Sequence, residues 1–204
     1  MCGRYYVDDD TARGIEKLLQ KADEKMRKAE NIHLQAGDIH PSEEAPVIAT
    51  NNNGLCYRWQ RWGFPGFNGK RLIFNARSET ALEKKIFRES TKYRRVVVPA
   101  AWFYEWNKNK EKNTFYRENQ PVIYMAGLYN RYQDEDRFVI LTTAANESMK
   151  PVHNRMPLLL EHDEIKKWLF EDKLTEDFLQ KTPALLGRRA DFEQMSLFPM
   201  ENSQ

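Results

Sequence analysis

Cysteine is nearly absent. The 204 residues hold two, Cys2 and Cys56, too few for a disulfide framework and in no zinc-binding spacing. A reducing, intracellular compartment is the default for such a chain. Long apolar runs are missing too. The longest near-apolar run, Val96 to Tyr104, falls far short of the roughly 20 residues a membrane helix needs. Met1-Cys2-Gly3-Arg4 leads into no apolar h-region, so no secretory signal is expected. Excess charge of one sign is absent: 32 Lys+Arg face 30 Asp+Glu, a net of +2. That excludes a histone-like polyelectrolyte but leaves a local basic groove open. There is no internal repeat and no Gly/Ser linker. What remains, 41% apolar and 30% charged, is an ordinary globular composition, long enough to bury a sizeable core. A single domain over residues 1–204 is expected, in the cytoplasm.

One helix is legible at once. After Asp8-Asp9-Asp10-Thr11, residues Ile15, Leu18, Leu19, Ala22 and Met26 form an i, i+3, i+4, i+7 stripe. The acids supply an N-cap and suit the positive helix end. A second helix is predicted over about 79 to 90, with Leu82, Ile86 and Phe87 on one face. A third is predicted over about 162 to 170, with Ile165, Trp168 and Leu169. Most of the rest reads as strands. Residues 46–50 and 55–62 flank Asn51-Asn52-Asn53-Gly54, a strong hairpin signal. Further strands are predicted at 72–75, 94–98, 101–106, 114–117, 122–129 and 137–143, with 107–113 as a polar hairpin loop. Strands outnumber helices and do not alternate with them regularly. The predicted fold class is therefore α+β, a mostly antiparallel, barrel-like β-sheet core with flanking helices. The stretch from about 191 to 204 has weak signals and is expected to be partly disordered.

Cys2 is chemically unusual. Removal of Met1 leaves a free N-terminal cysteine, whose amine (reference pKa ~7.7–8.0) and thiol (~8.5) are both partly reactive at neutral pH. Such a 1,2-aminothiol condenses with an aldehyde to a Schiff base, and intramolecular closure then gives a thiazolidine. The plain alternative is a small buried residue of an N-terminal strand. Glu105, within Ala-Trp-Phe-Tyr-Glu-Trp, has aromatic neighbours that desolvate it and favour its neutral form, which suits proton transfer near neutrality. The alternative is a strand Glu facing water or an Arg. Asn75 ends an apolar strand, where a side chain is presented to a cleft; a capping Asn is the alternative. His153 lies between two prolines in an irregular segment, poised for acid–base work or merely structural. Arginines and aromatics interleave, as in Tyr57-Arg58-Trp59-Gln60-Arg61-Trp62. Arginine forks match phosphates and aromatics stack on unpaired bases. Arg4, Arg77 and Arg155 each lie two residues from a reactive candidate, on the same face if the backbone is extended.

Five motifs stand in order: Met-Cys-Gly-Arg at the start, Asn-Ala-Arg-Ser-Glu-Thr at 75–80, Trp-Phe-Tyr-Glu-Trp at 102–106, Leu-Thr-Thr-Ala-Ala-Asn at 141–146 and His-Asn-Arg-Met-Pro at 153–157. Together they resemble the SOS response-associated peptidase (SRAP) family of abasic-site processing proteins. The resemblance implies a protein that scans single-stranded DNA and crosslinks to abasic sites through its N-terminal cysteine, here Cys2. Asn75, Glu105 and His153 fall on the family's other active-site positions. Arg4, Arg77 and Arg155 fall on phosphate-contact positions, Trp62 and Phe64 on an apolar wedge, and Pro41 on a proline lining the site. Trp106 and Thr143, inside the third and fourth motifs, complete the implied DNA contacts. Two features depart from the pattern. The element Trp62-Gly63-Phe64-Pro65 is one residue short, and no C-terminal strand signature is evident after Pro183.

The expected partner is single-stranded DNA containing abasic sites, bound by a monomer with no cofactor, metal or membrane, associated with the nucleoid when engaged. The expected chemistry is a thiazolidine between Cys2 and the ring-opened sugar aldehyde, with autoproteolytic loss of Met1 and weak abasic-site lyase activity. Two alternatives stand beside it: a cysteine peptidase acting in trans through Cys2, His153 and Asn75, and a non-catalytic nucleic-acid-binding module.

Overall fold

The acids before the first apolar stripe cap a helix as their positions predict. The Asp8 carboxylate accepts from the Thr11 amide and hydroxyl, each at 2.9 Å, and Ile15, Leu18 and Leu19 on the following stripe are buried. The computed structural model describes residues 2–22, 32, 34–52, 54–66 and 71–191. Met26 and residues 192–204, for which expectations were stated, lie outside them.

In chain order the elements are β1 (Tyr5–Val7), α1 (Asp9–Ala22), β2 (Gly37–Ile39), β3 (Glu44–Asn51), β4 (Gly54–Trp62), β5 (Phe64–Pro65), β6 (Leu72–Ile73) and β7 (Asn75–Arg77). Then follow α2 (Lys85–Tyr93), β8 (Arg95–Ala100), β9 (Trp102–Trp106), β10 (Lys112–Tyr116), β11 (Ile123–Tyr132) and β12 (Glu135–Ala144). The last are β13 (Arg155–Pro157), β14 (Leu159–Leu160), α3 (Glu164–Phe170), α4 (Thr175–Gln180) and β15 (Gly187–Ala190).

The fold is α+β around a mostly antiparallel sheet core. The β3–β4 hairpin turns where Asn51 faces Gly54, whose φ of +120° suits glycine. β3 joins β8, β8 joins β11 and β11 joins β12, all antiparallel. β12 then pairs with β4 in parallel, Phe138 opposite Trp62, which closes a five-stranded barrel. All six residues of β8 are buried, because one face lines the barrel while helices α1, α2 and α3 contact the strand. The buried Arg95 is tolerated there because its guanidinium donates to the Trp168 carbonyl and the Asp172 carboxylate, both at 2.6 Å. The second sheet runs β15-β10-β9-β1-β2 and does not close.

The structure corrects several local expectations. The second helix is not continuous over 79–90. A 3-10 turn takes Ser78–Thr80, and α2 runs Lys85–Tyr93. Its buried face continues through Ser90 and Thr91, which a search for apolar residues passes over. Strands do exist past Pro183: β15 pairs in register with β10, Thr114 opposite Arg189. Its sequence, Gly-Arg-Arg-Ala, carries no strand signal. β2, β13, β14 and α4 were likewise not expected; all are short and supported mainly by tertiary pairing.

Candidate active site

Strand pairing carries the N-terminus to Glu105. Tyr5 lies opposite Phe103, and the Tyr104 amide donates to the Arg4 carbonyl at 3.0 Å. The same antiparallel register, continued, runs Gly3 and Cys2 past Glu105 and Trp106. Cys2 and Glu105 are both buried. The Cys2 thiol points at the Arg4 carbonyl, 3.8 Å away. Burial pushes this thiol far above its ordinary range, the charge of Glu105 pushes it further, and the hydrogen bond to the Arg4 backbone pulls weakly the other way. The thiol is therefore protonated in the folded chain.

Asn75 comes from the barrel side. β7 lies parallel to β12, with Asn75 opposite Ile140, and the Asn75 side-chain amide donates to the Cys2 carbonyl at 2.8 Å. Its own carbonyl oxygen is buried with no hydrogen-bond partner among the described residues. Tyr5 adds a second unpartnered group, a buried hydroxyl whose pKa is raised by burial and then by Cys2. Polar atoms without partners beside a nucleophile are places where a ligand can be held.

His153 and Arg155 approach from the other side of β12. The His153 ring nitrogen Nδ1 lies 3.0 Å from the Arg155 amide and 3.2 Å from the Arg155 carbonyl, so the backbone of Arg155 orients the ring. Arg155 grips Glu79 through two bonds of 2.5 and 2.8 Å and donates to the Thr142 carbonyl at 2.6 Å. That contact, with Arg77 nearby, holds the Glu79 carboxyl below its usual range. Arg77 is exposed opposite Thr142. Arg4 lies 3.5 Å from Asp38 and 5.2 Å from the centre of the Trp106 ring. Pro41 follows β2, whose Ile39 faces Tyr5. Thr143, buried, lies opposite Met156.

The structure thus joins Cys2 to Asn75 by a hydrogen bond and sets it within electrostatic reach of Glu105. Arg4 follows Cys2 in the same segment, and Arg77 and Arg155 both lie against Thr142 of β12, with His153 against Arg155. Trp62 and Phe64 differ from the wedge expectation. Both rings are fully buried. Trp62 packs on Tyr5, Phe74 and Phe138 and donates to the Phe74 carbonyl at 2.8 Å, while Phe64 packs on Phe87 and Tyr132. A wedge needs exposed surface, and here both side chains spend it on the core. Gly63 between them has φ +115°, and a Cβ there would meet the Leu72 side chain at 2.5 Å. The shortened element is thus a tight turn into the β5–β6 pair.

Glu79 and Asp38 were not singled out from the sequence. Glu79 lies inside the Asn-Ala-Arg-Ser-Glu-Thr motif and could have been read there; Asp38 has no sequence signal. A cleft of about 970 Å³ opens beside Thr143 and Glu79, but Glu83, Glu147 and Glu176 also line it, so its rim is unsuited to phosphate. Among the described residues no three His, Cys, Asp or Glu side chains are grouped to hold a metal, and no helix is long and apolar enough to cross a membrane.

The sequence matches the family model described as SOS response associated peptidase (SRAP) over residues 1–202. The chain belongs to this SRAP family. Among curated relatives, the abasic site processing protein YoaM of Bacillus subtilis is 28% identical over 194 residues, covering 88% of this chain and 84% of that one. YedK of Escherichia coli, an abasic site processing protein by name, is 25% identical and covers 84% and 81%. The similarly named HMCES of Xenopus tropicalis is 31% identical, over 72% of this chain and 52% of its own. Among solved structures, a Bordetella bronchiseptica protein matches with TM-score 0.71 at 25% identity, covering 93% of this chain and 99% of that one. A phage-related protein of the same organism shares the fold at TM-score 0.74 and 17% identity, with 93% of each chain covered.

Proposed function

We propose that this SRAP protein binds single-stranded DNA at abasic sites and crosslinks to them through Cys2. The observation that carries the reading is the convergence of Asn75 and Glu105, from different sheets, on one N-terminal cysteine. Relatives named for abasic-site processing support the substrate.

The thiol sits protonated beside a carboxylate, so the amine acts first. Met1 must leave to free it: the Cys2 thiol passes its proton to Glu105 and adds to the Met1 carbonyl, the amide C–N bond breaks as a thioester forms and the nitrogen takes that proton, and water hydrolyses the thioester to release Met1. The Cys2 amine then adds to the ring-opened sugar aldehyde. The Glu105 carboxylate takes a proton from the Cys2 ammonium before attack and returns it to the carbinolamine hydroxyl, which leaves as water to give a protonated Schiff base. Glu105 then takes the thiol proton as sulfur closes on the same carbon to give the thiazolidine. Asn75 fixes the Cys2 backbone and so the angle of attack. His153 assists opening of the sugar ring. Arg4, Arg77 and Arg155 hold flanking phosphates, with Arg155 exchanging Glu79 for phosphate. Pro41, Trp106 and Thr143 border the strand. The Schiff base also acidifies neighbouring sugar C–H bonds, which gives slow lyase cleavage.

Intact-mass measurement tests the reading. It predicts loss of Met1 and then a heat-stable adduct with an abasic oligonucleotide, absent when an uncleavable extension blocks the Cys2 amine. A heat-stable adduct from the blocked protein would refute the aminothiol mechanism and move the nucleophile to Cys56 or a lysine.

A further inference from the structure

The outer face of the open sheet carries a second pattern that the crosslinking chemistry does not use. Side chains alternate along a strand, so Trp102, Tyr104 and Trp106 of β9 share one face, opposite to that of Phe103 and Glu105. Trp102 donates to the Tyr104 hydroxyl at 2.7 Å. Pairing extends this face into rows across the sheet. In one row Tyr6 of β1 stacks on Trp102, with ring centres 4.3 Å apart and planes within 4°. Continuing the β9–β10 register puts Tyr116 beside Trp102. Beyond it lies Gly187, where a Cβ would meet the Tyr116 ring at 2.6 Å, so only a glycine leaves room for that ring against β15.

The next row carries the charge. Tyr104 faces Thr114, and Thr114 faces Arg189. Lys112, opposite Trp106 on β9, lies 5.1 Å from the Tyr104 ring centre and pairs with Asp191 at 2.9 Å, a partner that a phosphate would have to displace. Arg189 is exposed and makes no ion pair among the described residues. A pocket of about 380 Å³ opens between the rows, walled by Trp102, Thr114, Tyr116 and Arg189. Asp8 and Asp10 stand on its far rim, already engaged by Thr11 and Arg13. They would repel phosphate but accept from the exocyclic amines of a base.

Resting on the single-strand reading above, we propose that the Trp102 end of this face, the end of β9 away from Cys2, Arg4 and Trp106, is a second subsite for unpaired nucleotides: bases lie on Trp102 and Tyr116, and Lys112 and Arg189 hold the backbone. Flat aromatic rows bordered by cations suit single strands, because every base has a π-face to stack. An A-form or B-form duplex keeps its bases inside and could use only the charges.

The test compares fluorescence anisotropy of undamaged dT oligomers of about 15 and about 5 nucleotides, lengths that do and do not allow both subsites to be filled. Arg189→Glu and Tyr116→Ala are expected to weaken binding of the longer oligomer about tenfold, the usual scale for losing one stacked base or one phosphate contact. Binding of the shorter oligomer, and crosslinking of a short abasic strand, should stay at wild-type levels. Lys112→Ala avoids any folding defect from losing a ring, and should lower the salt slope for the longer oligomer by about 0.7. If all three variants bind the longer oligomer as wild type does, while wild type still crosslinks the short abasic strand, the subsite is wrong and the crosslinking reading stands. A wild-type protein that neither binds dT nor crosslinks overturns both.

Discussion

The two sheets solve the same packing problem in opposite ways. The barrel closes: β12 meets β4, every strand has two neighbours, and β8 is buried along its whole length. The second sheet stays open, with short edges of three residues in β2 and four in β15. A closed barrel leaves no free edge. The open sheet keeps two. It holds Glu105 on its inner face and the aromatic rows on its outer one. The barrel contributes only from its end, where β7 delivers Asn75. Stability is thus concentrated in the closed sheet and chemistry at the margin of the open one.

The sharpest way to break that division is Glu105→Gln, which keeps shape but loses proton exchange. Crosslinking should slow by about 10²–10⁴-fold, with binding of undamaged strands unchanged. The same substitution removes the negative charge that raises the Cys2 thiol, so alkylation of Cys2 above pH ~8.5 should become faster, not slower. Loss of binding in parallel with crosslinking would make Glu105 a structural residue and blur the division.

Phe138→Ala strikes the other sheet. This buried ring packs on Trp62 where the barrel closes, and its loss should cost about 3–5 kcal/mol, read from urea denaturation. The folded fraction should crosslink at the wild-type rate. A large stability loss with a matching loss of specific crosslinking rate would show that the barrel does more than support.

A smaller effect separates Arg155 from both. Its grip on Glu79 lowers the carboxyl's pKa in the folded state. The stabilisation is therefore present above the unfolded Glu value of ~4.3 and fades as pH falls through the lower folded value. Because Glu79 is 47% exposed, the pair contributes about 1 kcal/mol at most. Glu79→Gln should remove that part of the acid dependence of stability. It should also free Arg155 and strengthen binding of single strands; unchanged binding would leave Arg155 a purely structural clamp.

The smallest expected change is at Arg77, which is exposed at the end of β7. Arg77→Ala should make the log–log salt dependence of strand binding shallower by about 0.7, one phosphate's share. An unaltered slope would take Arg77 out of the groove.

Much of this was legible in the residues themselves. The capped helix after Asp8, the hairpin at Asn51–Gly54 and the long strands β8, β9, β11 and β12 follow from local pattern, because each is long enough for periodicity to show. Cys2, Asn75, Glu105 and His153 could be named for their chemistry and motifs, and Arg4, Arg77 and Arg155 for their spacing. The short strands could not be read. Gly187–Ala190 is a strand only because β10 offers it a partner, and propensity over four residues carries too little information.

Burial was beyond the sequence as well. Trp62 and Phe64 read as a wedge in one dimension and lie in the core in three, because the turn at Gly63 folds both inward. The sequence determined which groups are available: one cysteine next to Met1, a carboxyl among aromatics, and cations near both. The tertiary structure decided which of them meet. Cys2 and Asn75 are 73 residues apart in the chain and 2.8 Å apart in space, and Glu105 reaches Cys2 only because β1 pairs with β9. Contacts of that kind depend on which strands pair and in what register, a property of the whole chain's packing that no local pattern encodes.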